Sequence, residues 1–346
     1  MRRIIILLIV LLFLPISVNA SEFTAPVAPE EAQKYMPEKS ESFIEDLLYV
    51  VSAAIGEIYP HVQDAAGICV ALIATTLLIS VLQCLSDITK QTAELVGVLS
   101  VGLLLLEPTY TLITLGIETV TSLCQYGKLL LPVMTAAMAA QGAVTTSTAL
   151  YTGTALFNTI LTSAIQALGI PMTYIYLVLG IANSSVSNPI LQKLQKFIKW
   201  CLTWTLKLSI YLFTGYLGIT RVVSGTVDAS AIKATKLALS GLVPVIGKVI
   251  SDASETILLS ADVMKNAAGI YGLVAIAAIC IIPFIRIGIQ YLMLKITASV
   301  SSVFGCKSTI QIMEDFSCAM GFLLAMTGTL SVLLLVSTVC FMKGVG

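Results

Sequence analysis

Ionisable side chains are concentrated in one part of this otherwise very apolar sequence, the stretch from Val223 to Gly272. Apolar stretches flank it on both sides, so these side chains lie close to any membrane that the chain crosses. Charged groups near membrane depth are costly and are usually kept because they pair or line a pathway. This stretch is therefore the first candidate for a functional site. Its charged residues are Asp228, Lys233, Lys236, Lys248, Asp252, Glu255, Asp262 and Lys265.

The spacing places the first of these side chains on a shared helix face. If 229–240 is helical, Lys233 and Lys236 lie on one face. Asp228 then lies near the N-terminus of that helix, where a negative charge suits the helix dipole. Pro244 and Gly247 follow and predict a break in the backbone before the next helix.

Beyond the break, Asp252 and Glu255 are three residues apart and share a face, and Lys265 and Asn266 precede the next apolar span. One interpretation is a polar site at a broken helix that lines an aqueous cavity or a protein interface. The other is a solvated extracellular loop, in which such pairs contribute little. The apolar flanks favour the first interpretation, because they leave little room for a loop.

A second candidate is Glu107, which precedes Pro108 in the middle of an apolar stretch. A carboxylate beside a helix-breaking proline indicates a kinked, pore-lining or packing position. The alternative is a displaced span boundary, which the polar residues that follow, 109–111, also support.

Known catalytic and metal-binding patterns are absent from the sequence. His61 is the only histidine and has no companion at ligand spacing, so no metal site is expected. The eight cysteines form no C-x-x-C pair and mostly lie in apolar runs, which predicts packing roles. No Walker A loop, G-x-S-x-G elbow or H-E-x-x-H motif occurs. We therefore expect neither an enzyme nor a cofactor.

The composition predicts an all-α polytopic membrane protein. Of the 346 residues 57% are hydrophobic and only 11% are charged, whereas soluble domains carry about 25% charged residues. Net charge is zero and no basic block with aromatic residues occurs, so nucleic-acid binding is not expected. We expect about six to eight transmembrane or re-entrant helices. The predicted spans are Ala65–Leu85, Ala93–Gly116, Ile170–Pro189, Trp200–Val222, Ala267–Met293 and Ala319–Met342, with 129–168 and 237–264 as re-entrant hairpins or packed pairs of spans.

The N-terminal part predicts export. Two arginines, a short apolar run and the ending Val18-Asn19-Ala20 are typical of a cleavable signal peptide over 1–20, with an uncleaved anchor as the alternative. An exported acidic segment follows over 21–62. Within it, 40–58 predicts an amphipathic helix that lies on the membrane or on a partner. Its apolar face is formed by Phe43, Leu47, Leu48, Val51 and Ile55.

The distribution of lysines predicts the orientation of the 63–346 membrane domain. The linker 191–199 carries Lys193, Lys196 and Lys199 without an acid, which is typical of a cytoplasmic loop. Counting spans from this linker places the processed N-terminus outside the cell, as the signal peptide also requires.

Two parts of the membrane domain resemble one another. Leu-Leu-Pro-Val at 130–133 and Leu-Val-Pro-Val at 242–245 are separated by 112 positions, and Pro171 and Pro283 show the same offset. This predicts two parallel repeats, about 93–199 and 200–317, followed by a final span at 319–342. Repeats are common in transport proteins, with sites near the repeat interface. The alternative is a chance match of prolines.

The charged stretch is similar to the signature region of the stage III sporulation protein AE family. The matching elements are Val223-Ser224-Gly225 with Asp228, Lys233 with Lys236, Val243-Pro244-Val245 with Gly247, Ser251-Asp252-Ala253 with Glu255-Thr256, and Lys265-Asn266 before Gly269 and Gly272. The signal peptide, acidic segment and multi-span body also fit, so the resemblance covers nearly the whole chain.

The resemblance implies a place in the mother-cell membrane that faces the forespore of an endospore-forming bacterium. It implies assembly with sibling stage III A proteins, which include an ATPase and ring-forming subunits, and with a forespore membrane partner across the intermembrane space. It further implies a channel or secretion-like complex that sustains forespore development.

The sequence hypothesis is a non-enzymatic, permease-like membrane component of that complex. The alternatives are a stand-alone secondary transporter of a small metabolite and a passive scaffold for assembly. The residues expected to line a conduit or dock a subunit are Asp228, Lys233, Lys236, Asp252, Glu255, Lys265, Asn266 and Glu107, with Pro244 and Gly247 shaping the helix break.

Overall fold

Long apolar runs with few helix breakers make the chain helical, and every element in its described part is a helix. The computed structural model describes residues 25–37, 43–85, 87–186, 188–242, 246–304 and 306–343, with the backbone alone for 85, 87–91, 221–242, 246–262 and 264. The helices are α1 (Glu30–Gln33), α2 (Phe43–Gly56), α3 (Ile58–Leu85), α4 (Asp87–Ala140), α5 (Val144–Ala164), a π-helical turn (Ile165–Gly169), α6 (Ile170–Val186), α7 (Pro189–Leu242), α8 (Ile246–Ser301), a 3₁₀ turn (Ser302–Phe304) and α9 (Lys307–Lys343). The predicted signal peptide, 1–20, lies outside these residues.

Five helical stretches within the described ranges are long and apolar enough to cross a membrane. They confirm the prediction of an all-α polytopic membrane protein. The predicted span Trp200–Val222 lies in α7 but is not among the five, because Lys207 and several Trp, Tyr and Thr residues make it less apolar. The five stretches are Ile58–Cys84, Thr92–Ala140, Val144–Val186, Lys265–Phe304 and Lys307–Lys343.

Successive long helices run in opposite directions, which gives the molecule two ends. At one end Lys265, near the middle of α8, reaches Gln141 in the turn after α4, and α1 and α2 pack against α8. We call this the capped end. At the other end Ser80 in α3 donates to the carbonyl of Phe304 at 3.0 Å. This end also carries Lys193, Lys196 and Lys199 at the start of α7, and we call it the lysine end.

The segment 129–168 is a pair of packed helices. Helix α4 continues through Pro132 to Ala140, and a tight turn follows in which Gly142 has φ 88°, a conformation that favours glycine. Helix α5 then returns along α4, and Asn158 on α5 donates to the carbonyl of Cys124 on α4 at 3.5 Å. The structure thus has a packed helix pair here, and the choice between a re-entrant hairpin and a pair of spans stays open.

Helices α4, α8 and α9 form the centre of the bundle. Helix α9 packs against α4 and α8 and also contacts α5, α6 and α7, which explains why so many of its residues are buried. Its hydroxyl side chains form hydrogen bonds to carbonyl groups of the same helix. Thr327, for example, donates to the carbonyl of Leu323 at 2.9 Å. By contrast the described residues of α7 have few contacts with those of α8, and a cleft lies between them.

The predicted amphipathic helix exists as α2, and contact of its predicted apolar face with a membrane or a partner stays a prediction, because part of that face is exposed. Leu48 and Ile55 are 63% and 58% exposed, whereas Asp46, Val50 and Ala54 are buried. The buried residues are four apart, so they form one row of the helix, and this row packs on α8 of the same chain. Contact with α8 decides which face is covered.

The proposed repeats stay a prediction. In each half a long helix, α4 or α7, is followed by a returning one, α5–α6 or α8. The prolines of the motif lie differently, because Pro132 is inside α4, whereas Pro244 falls outside the described residues between α7 and α8.

Candidate functional site

The predicted charged stretch falls on the ends of α7 and α8 that meet at residues 243–245. Asp228, Lys233 and Lys236 lie on the backbone of α7, and Gly247, Asp252 and Glu255 lie on that of α8. The side chains of these six residues, and all of Pro244, lie outside the described part of the chain. Helix α7 ends at Leu242 and α8 begins at Ile246, and the predicted break at Pro244 falls outside the described residues and stays a prediction.

Lys265 is the charged member of that stretch whose side chain is described, and it is 4% exposed. Its ammonium group donates to Oε1 of Gln141 at 2.7 Å, which ties α8 to the turn between α4 and α5. Asn266 beside it is half-buried. Both side chains lie at the capped end, within the protein and not in a loop above it.

Glu107 faces outward from the bundle. Helix α4 continues through Pro108, and the exposed neighbours of Glu107 include Leu103, Leu106 and Tyr110. The side chain does not line any of the described cavities. Its position fits a contact with another subunit better than a pore within this chain.

A polar cavity of about 590 Å³ opens at the lysine end, between α6, α7, α8 and α9. We call this cavity the chamber. Charges of both signs line it: Lys199 from α7, Lys295 from α8, and Glu314 and Asp315 from α9. The other lining residues are Tyr176, Thr203, Tyr291, Ala298, Ser299, Gln311, Cys318, Gly321, Phe322 and Ala325.

Asp315 is the most enclosed charged group of the chamber, at 5% exposure. Oδ1 of its carboxyl group accepts from the hydroxyl of Tyr176 on α6 at 3.0 Å and from the amide of Gln311 at 3.3 Å. The Tyr176 ring packs edge-on against Phe322, with the ring centroids 5.2 Å apart, which fixes the direction of its hydroxyl. A buried carboxyl group held by neutral donors is typical of a functional site.

The second oxygen of Asp315 lies over a glycine. A Cβ on Gly180 of α6 would lie 2.8 Å from Oδ2 and 2.9 Å from the amide nitrogen of Gln195 on α7. Only glycine therefore leaves room for these two polar atoms at the crossing of α6, α7 and α9. Neither atom has a hydrogen-bond partner among the described residues.

An apolar cleft of about 620 Å³ continues from the chamber along the gap between α7 and α8. Thr203, Phe322 and Ala325 line both spaces, so the chamber and the cleft adjoin. Lys207 is the one charged residue in the described lining of the cleft, which otherwise consists of side chains such as Leu206, Ile281 and Leu335. Together the two spaces lead from the lysine end into the membrane-spanning part of the bundle.

A smaller cavity of about 250 Å³ lies beside the chamber at the same end. Gln311 lines both, so this amide separates them. The smaller cavity is lined by polar residues of three helices, among them Asn183, Gln192 and Lys307. Polar groups therefore surround Gln311 from the end surface to the buried carboxyl group of Asp315.

The described residues contain no group of three metal-ligating side chains, and their cysteines are all free. The chamber is lined by charges of both signs, and the adjoining cleft has an apolar wall. Such a cavity is suited to holding and passing polar or amphipathic molecules, because opposite charges lie next to an apolar wall.

Comparison with known proteins decides the family. The family model described as stage III sporulation protein AE matches residues 32–344. The chain belongs to the stage III sporulation protein AE family. It is similar to the stage III sporulation protein AE of Bacillus subtilis (strain 168), with 19% identity over 235 residues, 68% of this chain and 59% of the relative. The chain thus spans less than two thirds of that relative's length, and no solved structure matches it.

Proposed function

We propose that this membrane protein of the sporulation family is a non-enzymatic, permease-like component of a complex that links mother cell and forespore. The single observation that supports a conduit is that the polar chamber and the apolar cleft adjoin at Thr203, Phe322 and Ala325, which line both. Molecules would enter at the lysine end and move along the cleft between α7 and α8.

The proposal includes an orientation. The lysine end faces the mother-cell cytoplasm, because Lys193, Lys196 and Lys199 follow the positive-inside pattern. The capped end, with α1 and α2, then faces the intermembrane space, and the N-terminus is extracytoplasmic. The partners proposed are the sibling stage III A proteins, including the ATPase and ring-forming subunits, and a forespore membrane partner.

The conduit is tested by filling its neck. Ala325 lines both spaces, and its side chain is exposed to them, so Ala325→Trp places bulk in the passage without displacing a packed neighbour. We expect normal membrane insertion and complex assembly but loss of sporulation. The matched control is Ala74→Trp, an exposed alanine on α3 that lines none of the described cavities. Full sporulation of the Ala325→Trp strain would contradict the conduit, and loss of assembly in that strain alone would favour a scaffold.

The charged stretch is proposed to dock a sibling subunit or to line the far part of the conduit. Asp252→Asn with Glu255→Gln removes two charges while keeping the shape of both side chains. Lost assembly would assign these residues to docking, and retained assembly with lost sporulation would assign them to the conduit. Full sporulation would remove both residues from the proposed site.

A further inference from the structure

We propose that Asp315 is a proton-binding site that exchanges a proton with the water of the chamber. The inference deepens the proposed function and rests on it, because it assigns proton coupling to the same conduit. In the step, a hydronium ion in the chamber gives its proton to the carboxylate of Asp315: an O–H bond of the hydronium breaks, an O–H bond to a carboxyl oxygen forms, and water and a neutral carboxylic acid remain. Release to the chamber is the reverse.

The first support is burial without a salt bridge. Asp315 is 5% exposed, and the ion pair found among described residues joins Lys34 and Glu57 far away. A buried charge is costly unless it is paired, so an enclosed carboxyl group without a cationic partner is poised to take up a proton.

The second support is the asymmetry of the two oxygens. Oδ1 is held by Tyr176 and Gln311, whereas Oδ2 has no partner among the described residues. Oδ2 lies beside Gln195, in the space that is left because Gly180 has no side chain. A proton on Oδ2 needs an acceptor, and rotation of the Gln195 amide supplies its oxygen. Protonation therefore changes the contact between α7 and α9.

Other titratable groups surround Asp315. Tyr176 reaches it from α6, Lys199 lies on α7, Tyr291 and Lys295 on α8, and Glu314 and Cys318 on α9 itself. Helix α4 also packs on α6 and α9 but contributes no residue to the chamber lining. The two lysines oppose protonation and Glu314 favours it. Glu314 is exposed and lines the chamber, so it is the solvated counterpart of the buried Asp315.

The test is infrared titration of the full chain in liposomes, which reads the carbonyl band of a protonated carboxyl group. We expect a band that appears as pH falls and that is missing in Asp315→Asn. The matched control, Glu314→Gln, keeps this band, because the band belongs to Asp315. A band that depends on Asp315 at no pH of the titration, or at every pH, would overturn the proposal.

Tyr176→Phe provides a second readout that a merely structural role would not move. Loss of the hydroxyl that donates to the ionised form raises the titration midpoint of Asp315 by about one to two pH units. An unchanged midpoint would overturn the geometry on which the proposal depends. The infrared band is measured without transport, so failure of the proton site and failure of the conduit are distinguishable. The band can be present although the Ala325→Trp strain sporulates normally, and it can be absent although that strain fails to sporulate.

Discussion

Lys265 is a charged side chain almost fully enclosed by protein, and its enclosure sets the cost of changing it. Lys265→Ala leaves Gln141 without the ammonium donor that now lies 2.7 Å away. Hydrogen bonds to charged groups contribute about 1.5–3 kcal/mol, so we expect a loss of that size in the free energy of unfolding, measured by denaturant titration in mixed micelles. Lys196→Ala removes an exposed lysine and should change the free energy by less than about 0.5 kcal/mol. Equal effects of the two variants would show that the Gln141 contact contributes nothing.

At the residue scale the sequence singled out Lys265 as a candidate site residue but not Asp315. Lys265 is conspicuous because it belongs to an ordered run of charges at the mouth of an apolar span. Asp315 stands just before the predicted span Ala319–Met342 and reads as an ordinary flanking residue. Its hydroxyl donor, Tyr176, is 139 positions away, and no local spacing connects residues that meet only when α6 packs on α9. An acid within the 37-residue stretch Lys307–Lys343 is the signal that could have revealed it.

At the element scale, the packing of α5 against α7 depends on Gly153. A Cβ there would lie 1.9 Å from the Tyr216 ring, whose hydroxyl donates to the carbonyl of Ala149 at 2.6 Å. Gly153→Ala must displace the ring and weaken this bond, so we expect a loss of about 1–3 kcal/mol in the free energy of unfolding. Gly218→Ala on α7 meets nothing within 4 Å and should be neutral or stabilise by up to about 1 kcal/mol, because alanine favours helix. Destabilisation of the same size in both variants would contradict this packing.

The docking of α1 has a predictable pH dependence. Hydrogen bonds from Lys34 and then Tyr35 lower the pKa of Glu57 below its ordinary value of 4.5, and the bond to Glu57 raises the pKa of Lys34 above 10.5. A lowered carboxyl pKa stabilises docking above pH 4.5, and this contribution is lost as pH falls through the lowered value. A raised lysine pKa stabilises docking below pH 10.5, and this contribution is lost as pH rises through the raised value.

Hydrogen exchange of 25–37 measures this docking. We expect slow exchange at neutral pH after correction for the intrinsic rate, and loss of protection towards acid below the ordinary carboxyl range. Glu57→Gln should show reduced protection already at neutral pH and little further change towards acid. The control is Glu31→Gln, because Glu31 is a carboxyl group of α1 that makes no ion pair among the described residues. Protection in Glu57→Gln equal to that of the unchanged protein would contradict the assigned role.

The apolar helices were predicted better than the way they pack. They follow from hydropathy, which is a local property. Which face of α2 is covered does not follow, because α2 is apolar on more than one side and α8 selects the row of Val50 and Ala54. The other strongly apolar helices also have apolar residues on more than one side, so the spacing of these residues does not indicate which face is buried.

At the scale of the whole molecule, the position of the membrane can be read from the chain's two tryptophans. Trp200 and Trp204 are exposed and stacked on α7, with the ring centroids 6.0 Å apart, close to the lysine end. Tryptophans are enriched at membrane interfaces. We therefore expect lipids brominated near the headgroup to quench their fluorescence more strongly than lipids brominated near the chain end. The opposite order would place the lysine end within the bilayer.

The overall architecture was predicted from composition, but the cavities of the proposed conduit were not. The described residues of α7 pack mainly on α5 and α6 and little on α8, which is a property of the assembled bundle. The spacing of Thr203, Phe322 and Ala325 in the sequence does not indicate that they line both the chamber and the cleft.

The most direct test of the conduit is the access of water to the chamber, which Cys318 reports. Cys318 lines the chamber, Cys84 is exposed near the lysine end, and Cys124 is buried. Three chains that each retain one of these cysteines are reconstituted and treated with a small, membrane-impermeant thiol reagent added on the lysine side. We expect Cys318 to react at a rate close to that of Cys84, while Cys124 stays unmodified. A Cys318 as unreactive as Cys124 would contradict the conduit.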